Sequence, residues 1–322
     1  MNPLYEFIQR NRVIALVEKA QRSDSCKLSL DDFDLSSFPD VLLNYQGLHL
    51  QSLNIGHNNI RDLPKDVPSL KNLQHLSLEY NNLEKFPEVL QNLTQLITLN
   101  ISHNPIKDLT PDIGSLVSLE ILWCNSCCLT RLPRSIGNLV KLETFGARHN
   151  KITRLPDEIC NLTNLRWFTM EDNALQNLPS NFHKLQLLKH LNLNKNLFSH
   201  IPFKISEIRS LKYLHLQNNQ FFVLPESTMF AMPHAKINLQ NNPLQVPANL
   251  QANLVYANVV ITGKENEVVD MYEGFESDSS SEDWDNSVDS SDLNYSDTES
   301  ENENDHEEIM SHAPMLSKFL IT

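Results

Sequence analysis

The chain has 322 residues, 40% of them hydrophobic, and a net charge of −14. The charge is concentrated: Glu273 to Glu308 holds 15 acids and no Lys or Arg, which leaves the rest of the chain at +1. A nearly neutral body offers no basic face for nucleic acid, and no run approaches the ~18–20 apolar residues of a membrane helix. The five cysteines, Cys26, Cys124, Cys127, Cys128 and Cys160, are odd in number and scattered. They make no disulfide framework and imply a reduced, intracellular compartment. The apolar run Val13-Ile14-Ala15-Leu16-Val17 is too short for a signal-peptide core, and Glu18 ends it. The sequons at Asn92, Asn100, Asn161 and Asn294 then read as chance matches.

In chain order, residues 1–24 predict an N-terminal helix that covers the end of whatever follows. Asn2 stands at the cap position and Pro3 at the first helical position. Leu4, Phe7, Ile8, Ile14 and Val17 form its apolar stripe.

From about Ser25 to Pro247 one pattern repeats. Leu73, Leu96, Leu119, Leu142, Leu165, Leu188 and Leu211 recur every 23 residues, a period that marks a solenoid. In the unit beginning at Leu73, Leu76 and Leu78 are two apart and share one face of a short strand. Asn81 follows where the chain turns. Its side chain can pair with backbone groups that the turn leaves open, and stacked units can share those bonds as a ladder. Leu83 and Phe86 bring the chain back, Pro87 ends any sheet pairing, and Leu90 and Leu93 suit one irregular helical turn. Asn58, Asn81, Asn104, Asn150, Asn173, Asn196, Asn219 and Asn242 fall in register, and Cys127 alone breaks the series. One unit cannot bury its leucines, but stacked units can. The first unit is degenerate, with Phe33 in place of Asn. Residues 248–271 contain the apolar run Val259-Val260-Ile261 and predict a C-terminal cap.

The unit LxxLxLxxNxLxxLPxxIxxLxxL resembles the leucine-rich repeat of the 23-residue intracellular type, as in the repeat blocks of Shoc-2, erbin and Scribble and of the plant Ras-group-related proteins. The resemblance implies an α/β fold: a right-handed leucine-rich repeat solenoid with a curved parallel sheet of about ten strands. Cys is the usual substitute at the Asn position of this family.

Residues 272–308 are serine-rich and acidic, too poor in aliphatic residues to fold alone, and predict disorder. Ser279, Ser280, Ser296, Thr298 and Ser300 each have an acid three residues later, the pattern acidophilic kinases prefer. Residues 309–322 turn apolar again, and a short docking motif is expected there.

Catalytic chemistry is not apparent. With 7 glycines the chain carries no phosphate-cradling glycine motif. Cys124, Cys127 and Cys128 have no second ligand pair, so a structural role outweighs a metal site. His57, His103 and His149 share one repeat position but skip a repeat each time, and read as ordinary surface residues. The informative set is the sheet face opposite the leucines, at the third, fifth, seventh and eighth positions of each repeat. Its first half is small and polar. Its middle gathers Ile121, Trp123, Arg148, Trp167 and Glu171, followed by His190, Tyr213 and His215. Trp, Tyr and Arg are enriched at binding hot spots, and Gly146 leaves an expected notch between Trp123 and Thr169. Neither a catalytic residue nor a metal or cofactor is implied. The expectation is a monomeric, non-catalytic scaffold or adaptor in signalling, cytoplasmic or also nuclear. Its protein partner, by the resemblance, is a small GTPase or phosphatase. The alternative is a nuclear acidic-tail leucine-rich repeat protein that binds histones or a phosphatase.

Overall fold

Each repeat contributes one three-residue strand, and every strand lies parallel to the next. The structure is a computed structural model that describes residues 3–44, 49–202, 204–223, 231–245 and 258–261. The strands are β1 Lys27–Ser29, β2 Ser52–Asn54, β3 His75–Ser77, β4 Thr98–Asn100, β5 Ile121–Trp123 and β6 Thr144–Gly146. They continue with β7 Trp167–Thr169, β8 His190–Asn192, β9 Tyr213–His215, β10 Lys236–Asn238 and β11 Val259–Val260. They form one sheet in sequence order. From β2 to β10 each residue pairs with the one 23 positions on, as Leu76 with Leu99 and Leu99 with Leu122. The sheet has eleven strands rather than the ten expected, because Val259 and Val260 pair with Ile237 and Asn238.

The alternation of the strands sorts their side chains. Leu53, Leu76, Leu99, Leu122, Phe145, Phe168, Leu191, Leu214 and Ile237 all point into one continuous core and are buried. The return path is a short 3-10 turn: Glu88–Asn92, Pro111–Ser115, Arg134–Asn138 and Asp157–Asn161 in the central repeats. Leu90, Ile113, Ile136 and Ile159 bury one apolar side chain per turn. The extended residue before each turn is Pro87, Thr110, Pro133 or Pro156. A proline there gives up a donor that the turn does not need.

At the amino end α1, Pro3–Arg22, packs on the first repeat. Its buried residues are Val13, Val17 and Ala20, spaced for one helical face, whereas Phe7 is 55% exposed. Phe7 therefore does not belong to the packed stripe. The guanidinium of Arg12 lies 4.9 Å from the ring of Phe33, the residue that replaces Asn in the first repeat.

The turns after the strands are joined by asparagine. Asn104 Nδ2 donates to the carbonyls of Leu78, Ile101 and Ser102, and its Oδ1 accepts from Leu83 N in the preceding repeat. Asn81, Asn150, Asn173, Asn196, Asn219 and Asn242 repeat this arrangement. Asn58 spans to the degenerate first repeat, accepting from Phe33 N and Leu35 N. Cys127 fills the slot as a weak donor, with Sγ 3.2 Å from Ile101 O and 3.3 Å from Asn125 O. It has no acceptor to offer the preceding repeat. Ile106 N, whose equivalents bond the next asparagine, instead bonds Asn104 O within its own turn at 2.8 Å.

Residues 262–322 lie outside the described residues. So do the expectations placed on them: disorder of 272–308, the modification sites Ser279, Ser280, Ser296, Thr298 and Ser300, and the segment 309–322.

Two stability measurements test this architecture. Leu99→Ala should cost roughly 2–5 kcal/mol by opening a core cavity. Thr98, on the opposite face, is only 7% exposed, with Oγ1 3.1 Å from His75 Nδ1. Thr98→Ala should therefore cost about 1 kcal/mol, one net hydrogen bond. Equal losses in denaturant unfolding would contradict the strand register. Separately, Cys127→Asn should raise the thermal midpoint, because Asn restores the acceptor for Ile106 N. The expected gain is about 1 kcal/mol, and a lowered midpoint would show that this slot has repacked around the smaller cysteine.

Candidate functional site: the concave face of the sheet

The face opposite the core is the inner surface of the curved sheet. Its residues come from the ends of β strands at fixed repeat positions, so neighbours in space are 23 apart in sequence. Reading the third position from β7 to β10 gives Trp167, His190, Tyr213 and Lys236. The three rings form a stack. Trp167 and His190 have centroids 3.5 Å apart and planes 7° apart. His190 and Tyr213 are 4.5 Å and 19° apart. Lys236 Nζ continues the row 5.8 Å from the Tyr213 centroid. All three rings are half-buried. Adjacent parallel strands lie ~4.8 Å apart, close to the spacing of stacked rings, so the backbone itself sets the stack.

The other expected residues divide. Ile121, Glu171 and His215 are half-buried on the same face. Glu171 Oε1 is 3.1 Å from Lys195 Nζ, and its Oε2 accepts from Asn192 Nδ2 at 3.2 Å. Trp123 and Arg148 are not exposed: they are 2% and 8% accessible. The expected notch over Gly146 is therefore filled. A Cβ built on Gly146 would collide with the six-membered ring of Trp123, so the missing side chain is what lets the indole lie down on β6. Arg148 N is held by Asn125 Oδ1 at 2.9 Å. Trp123 Nε1 and Asn125 Nδ2 are buried donors with no hydrogen-bond acceptor.

The basic side chains of this face gather beside the stack. Lys189 and Lys212 precede His190 and Tyr213 by one residue. Lys189 is half-buried, and Lys212 and Lys236 are exposed. On the other side Arg166 Nε is 3.1 Å from Glu143 Oε2. Burial, then His215, Lys212 and Lys189, push the His190 imidazole down to about 4. Burial pushes His215 down to about 4 as well, against an upward pull from Glu171. Both histidines are therefore neutral at pH 7, and the lysines carry the positive charge.

A second aromatic row escaped the sequence reading. At the eighth repeat position His57, Tyr80 and His103 stack with centroids 4.4 and 3.9 Å apart and planes 15° and 5° apart. The signal was present: the position reads His, Tyr, His on consecutive repeats, and Tyr80 fills the gap that seemed to isolate the histidines. All three have left-handed backbone, at φ 46°, 49° and 55°. Nearby, Asp31 holds His57 at 3.0 Å, and Asp172 holds His149 at 2.8 Å. Among the described residues no group of three or more His, Cys, Asp or Glu is placed to hold a metal, and no helix is long and apolar enough to cross a membrane. Cys124 and Cys127 are core residues, with burial pushing the Cys127 thiol up to about 12.

Two leucine-rich repeat family profiles match, one over residues 49–106 and a two-copy profile over 94–138. Residues 49–138 thus carry leucine-rich repeats, and the fold is that of a leucine-rich repeat solenoid. Its fold resembles that of a leucine-rich repeat protein of Leptospira interrogans, with TM-score 0.57 and 25% identity, covering 76% of this chain and 79% of that one. It also resembles an internalin of Listeria monocytogenes, with TM-score 0.65 and 23% identity over 77% and 71% of the two chains. A plant peptide hormone receptor, solved in complex with RGF2, matches with TM-score 0.58 and 22% identity. That match covers 69% of this chain and 36% of the receptor. The chain matches no curated protein sequence. Leucine-rich repeat proteins use their extended concave surfaces for binding.

The depressed histidines give a pH test. Unfolded histidine takes up a proton near 6.5, but folded His190 and His215 wait until about 4. Between those values the unfolded chain binds more protons, so their contribution to stability falls as pH falls. His190→Phe combined with His215→Gln keeps the stack and removes both titrations. The thermal midpoint of this variant should drop less between pH 6.5 and pH 4 than that of the parent. Parallel curves would mean that these imidazoles titrate normally.

Proposed function

We propose that the chain is a non-catalytic scaffold or adaptor that holds a protein partner on its concave face. The observation that carries this reading is the Trp167–His190–Tyr213 stack. Rings already fixed against each other lose little freedom when a partner covers them. They also open three adjacent strands, β7, β8 and β9, as one row that a partner covering the sheet would enclose and shield from water. The resemblance of the repeat to the blocks of Shoc-2, erbin and Scribble supports a place in cytoplasmic signalling, with a small GTPase or phosphatase as partner and a monomeric state. The acidic segment favours a second reading, a nuclear protein that binds histones or a phosphatase. Recovery of histones by the acidic segment would decide for it.

The test is affinity capture with the full chain and with Trp167→Ala/Tyr213→Ala. Trp123 is the wrong target, since it is packed on Gly146 and its loss would open a cavity. Each stacked ring, as a hot spot, is worth at least about tenfold in affinity. The double variant should lose the principal partner while its circular dichroism and unfolding midpoint stay near those of the parent. Undiminished recovery would remove the concave stack from the interface.

A further inference from the structure

We propose that Trp123 Nε1 and Asn125 Nδ2 form a carboxylate subsite on the concave face, filled by a glutamate or aspartate side chain of the protein partner. This rests on the reading of the concave face as a binding surface and names the chemistry it takes. The argument begins with two buried donors. Trp123 and Asn125 are each 2% exposed, and neither Nε1 nor Nδ2 has an acceptor among the described residues. Such groups are rare in folded proteins, because a buried donor left unpaired is costly. The two side chains meet over Gly146. A Cβ there would collide with Cε3 and Cζ3 of Trp123 and lie 3.1 Å from Asn125 Oδ1. Nε1 is on the opposite edge of the indole from Cε3, and Asn125 Oδ1 is turned to Arg148 N at 2.9 Å. Both N–H groups therefore face away from β6.

The face itself shows which acceptor fits. At the fifth repeat position, Asn100 Nδ2 donates to Glu79 Oε2 at 2.8 Å, and Asn192 Nδ2 donates to Glu171 Oε2 at 3.2 Å. In both pairs the carboxylate stands at the seventh position of the preceding repeat, 21 residues back. Trp123 holds the same fifth position on β5. The residue 21 before it is Ser102, whose Oγ accepts from Asn125 N at 3.1 Å. The carboxylate that serves Asn100 and Asn192 thus has no counterpart at Trp123, and a ligand that brings one completes the pattern. A carboxylate also offers two oxygens, one for each donor, and pairs with N–H more strongly than a neutral carbonyl. Access follows from Gly146. The indole rests on bare backbone and its Nε1 makes no hydrogen bond, so tilting it off Gly146 breaks none of its own. The subsite on β5 is two strands from Trp167 on β7, ~10 Å at strand spacing. A partner that covers the rings therefore reaches it with a neighbouring acidic side chain.

The experiment follows the indole N–H resonances of the full chain by NMR; the Trp123 signal is the one lost in Trp123→Phe. The probes are a blocked Gly-Glu-Gly peptide, its Gly-Gln-Gly counterpart and acetate. The glutamate peptide should move the Trp123 resonance downfield in a saturable way. The glutamine peptide should bind at least about tenfold more weakly. Asn125→Asp keeps the oxygen that holds Arg148 N and turns the Nδ2 donor into an acceptor. It should weaken the glutamate peptide at least about tenfold while its circular dichroism stays that of the parent. Trp123→Phe leaves a ring over Gly146 without the donor. The same loss is expected there, read from the line widths of the peptide, and it decides the matter if Asn125→Asp does not fold. A Trp123 resonance that no probe moves overturns the proposal. Unchanged affinity in either folded variant overturns it too, as do equal affinities for the two peptides, which would make the acceptor a carbonyl. Acetate that binds as tightly as the glutamate peptide overturns the assignment to a partner side chain. Capture through Trp167 and Tyr213 is not read here, so the subsite can fail while the partner site stands, and the reverse.

Discussion

The fold depends on how each repeat satisfies the backbone where its strand ends. The chain must turn there without help from glycine, of which it has only 7. It uses a left-handed residue at the eighth position instead: His57, Tyr80, His103, Ser126, His149, Asp172, Lys195, Asn218 and Asn241. A non-glycine residue in that region costs roughly 1–2 kcal/mol. The cost is offset because the twist aims the residue's N–H at the next repeat: Tyr80 N bonds Ser102 O, His103 N bonds Asn125 O and His149 N bonds Glu171 O. The asparagine that follows closes the carbonyls behind the turn and accepts from the repeat before. Each asparagine thereby belongs to two repeats, and this is what fixes the register of the sheet.

Because the register is fixed, side chains at one repeat position form straight rows, and the rows follow the strand spacing. That single distance accounts for both aromatic stacks. Trp167–His190–Tyr213 uses the third position, and His57–Tyr80–His103 uses the eighth. It also explains why a sequence with no contiguous aromatic motif holds three ordered rings in contact. Neither stack needs a special fold; each needs only aromatic residues 23 apart.

The buried half of this protein was legible because burial is written in period. Leu76, Leu78, Leu99 and Leu191 alternate with polar residues, so their direction follows from strand geometry alone. Cys127 was legible as an asparagine substitute, and its sulfur donates to Ile101 O, as the missing amide would. The concave face was legible in position but not in posture. Trp123 read as exposed because its own position faces away from the core. What decides its burial is Gly146 on the next strand, where an absent Cβ leaves room for the ring. Arg148 was misjudged in the same way. Its burial depends on neighbours one repeat away, and position alone does not encode those contacts. The His57 row was missed by comparing like with like, when the residue that joins two histidines is a tyrosine.

The charge state of the concave stack follows from the same crowding. His190 lies between two rings and beside Lys189 and Lys212, so protonating it would bury a cation among cations. A neutral imidazole is therefore the stable state near pH 7, and it stacks on Trp167 and Tyr213 without repelling the lysines. Positive charge is displaced from the stack to its flank, onto Lys189 and Lys212, which stand one residue before His190 and Tyr213.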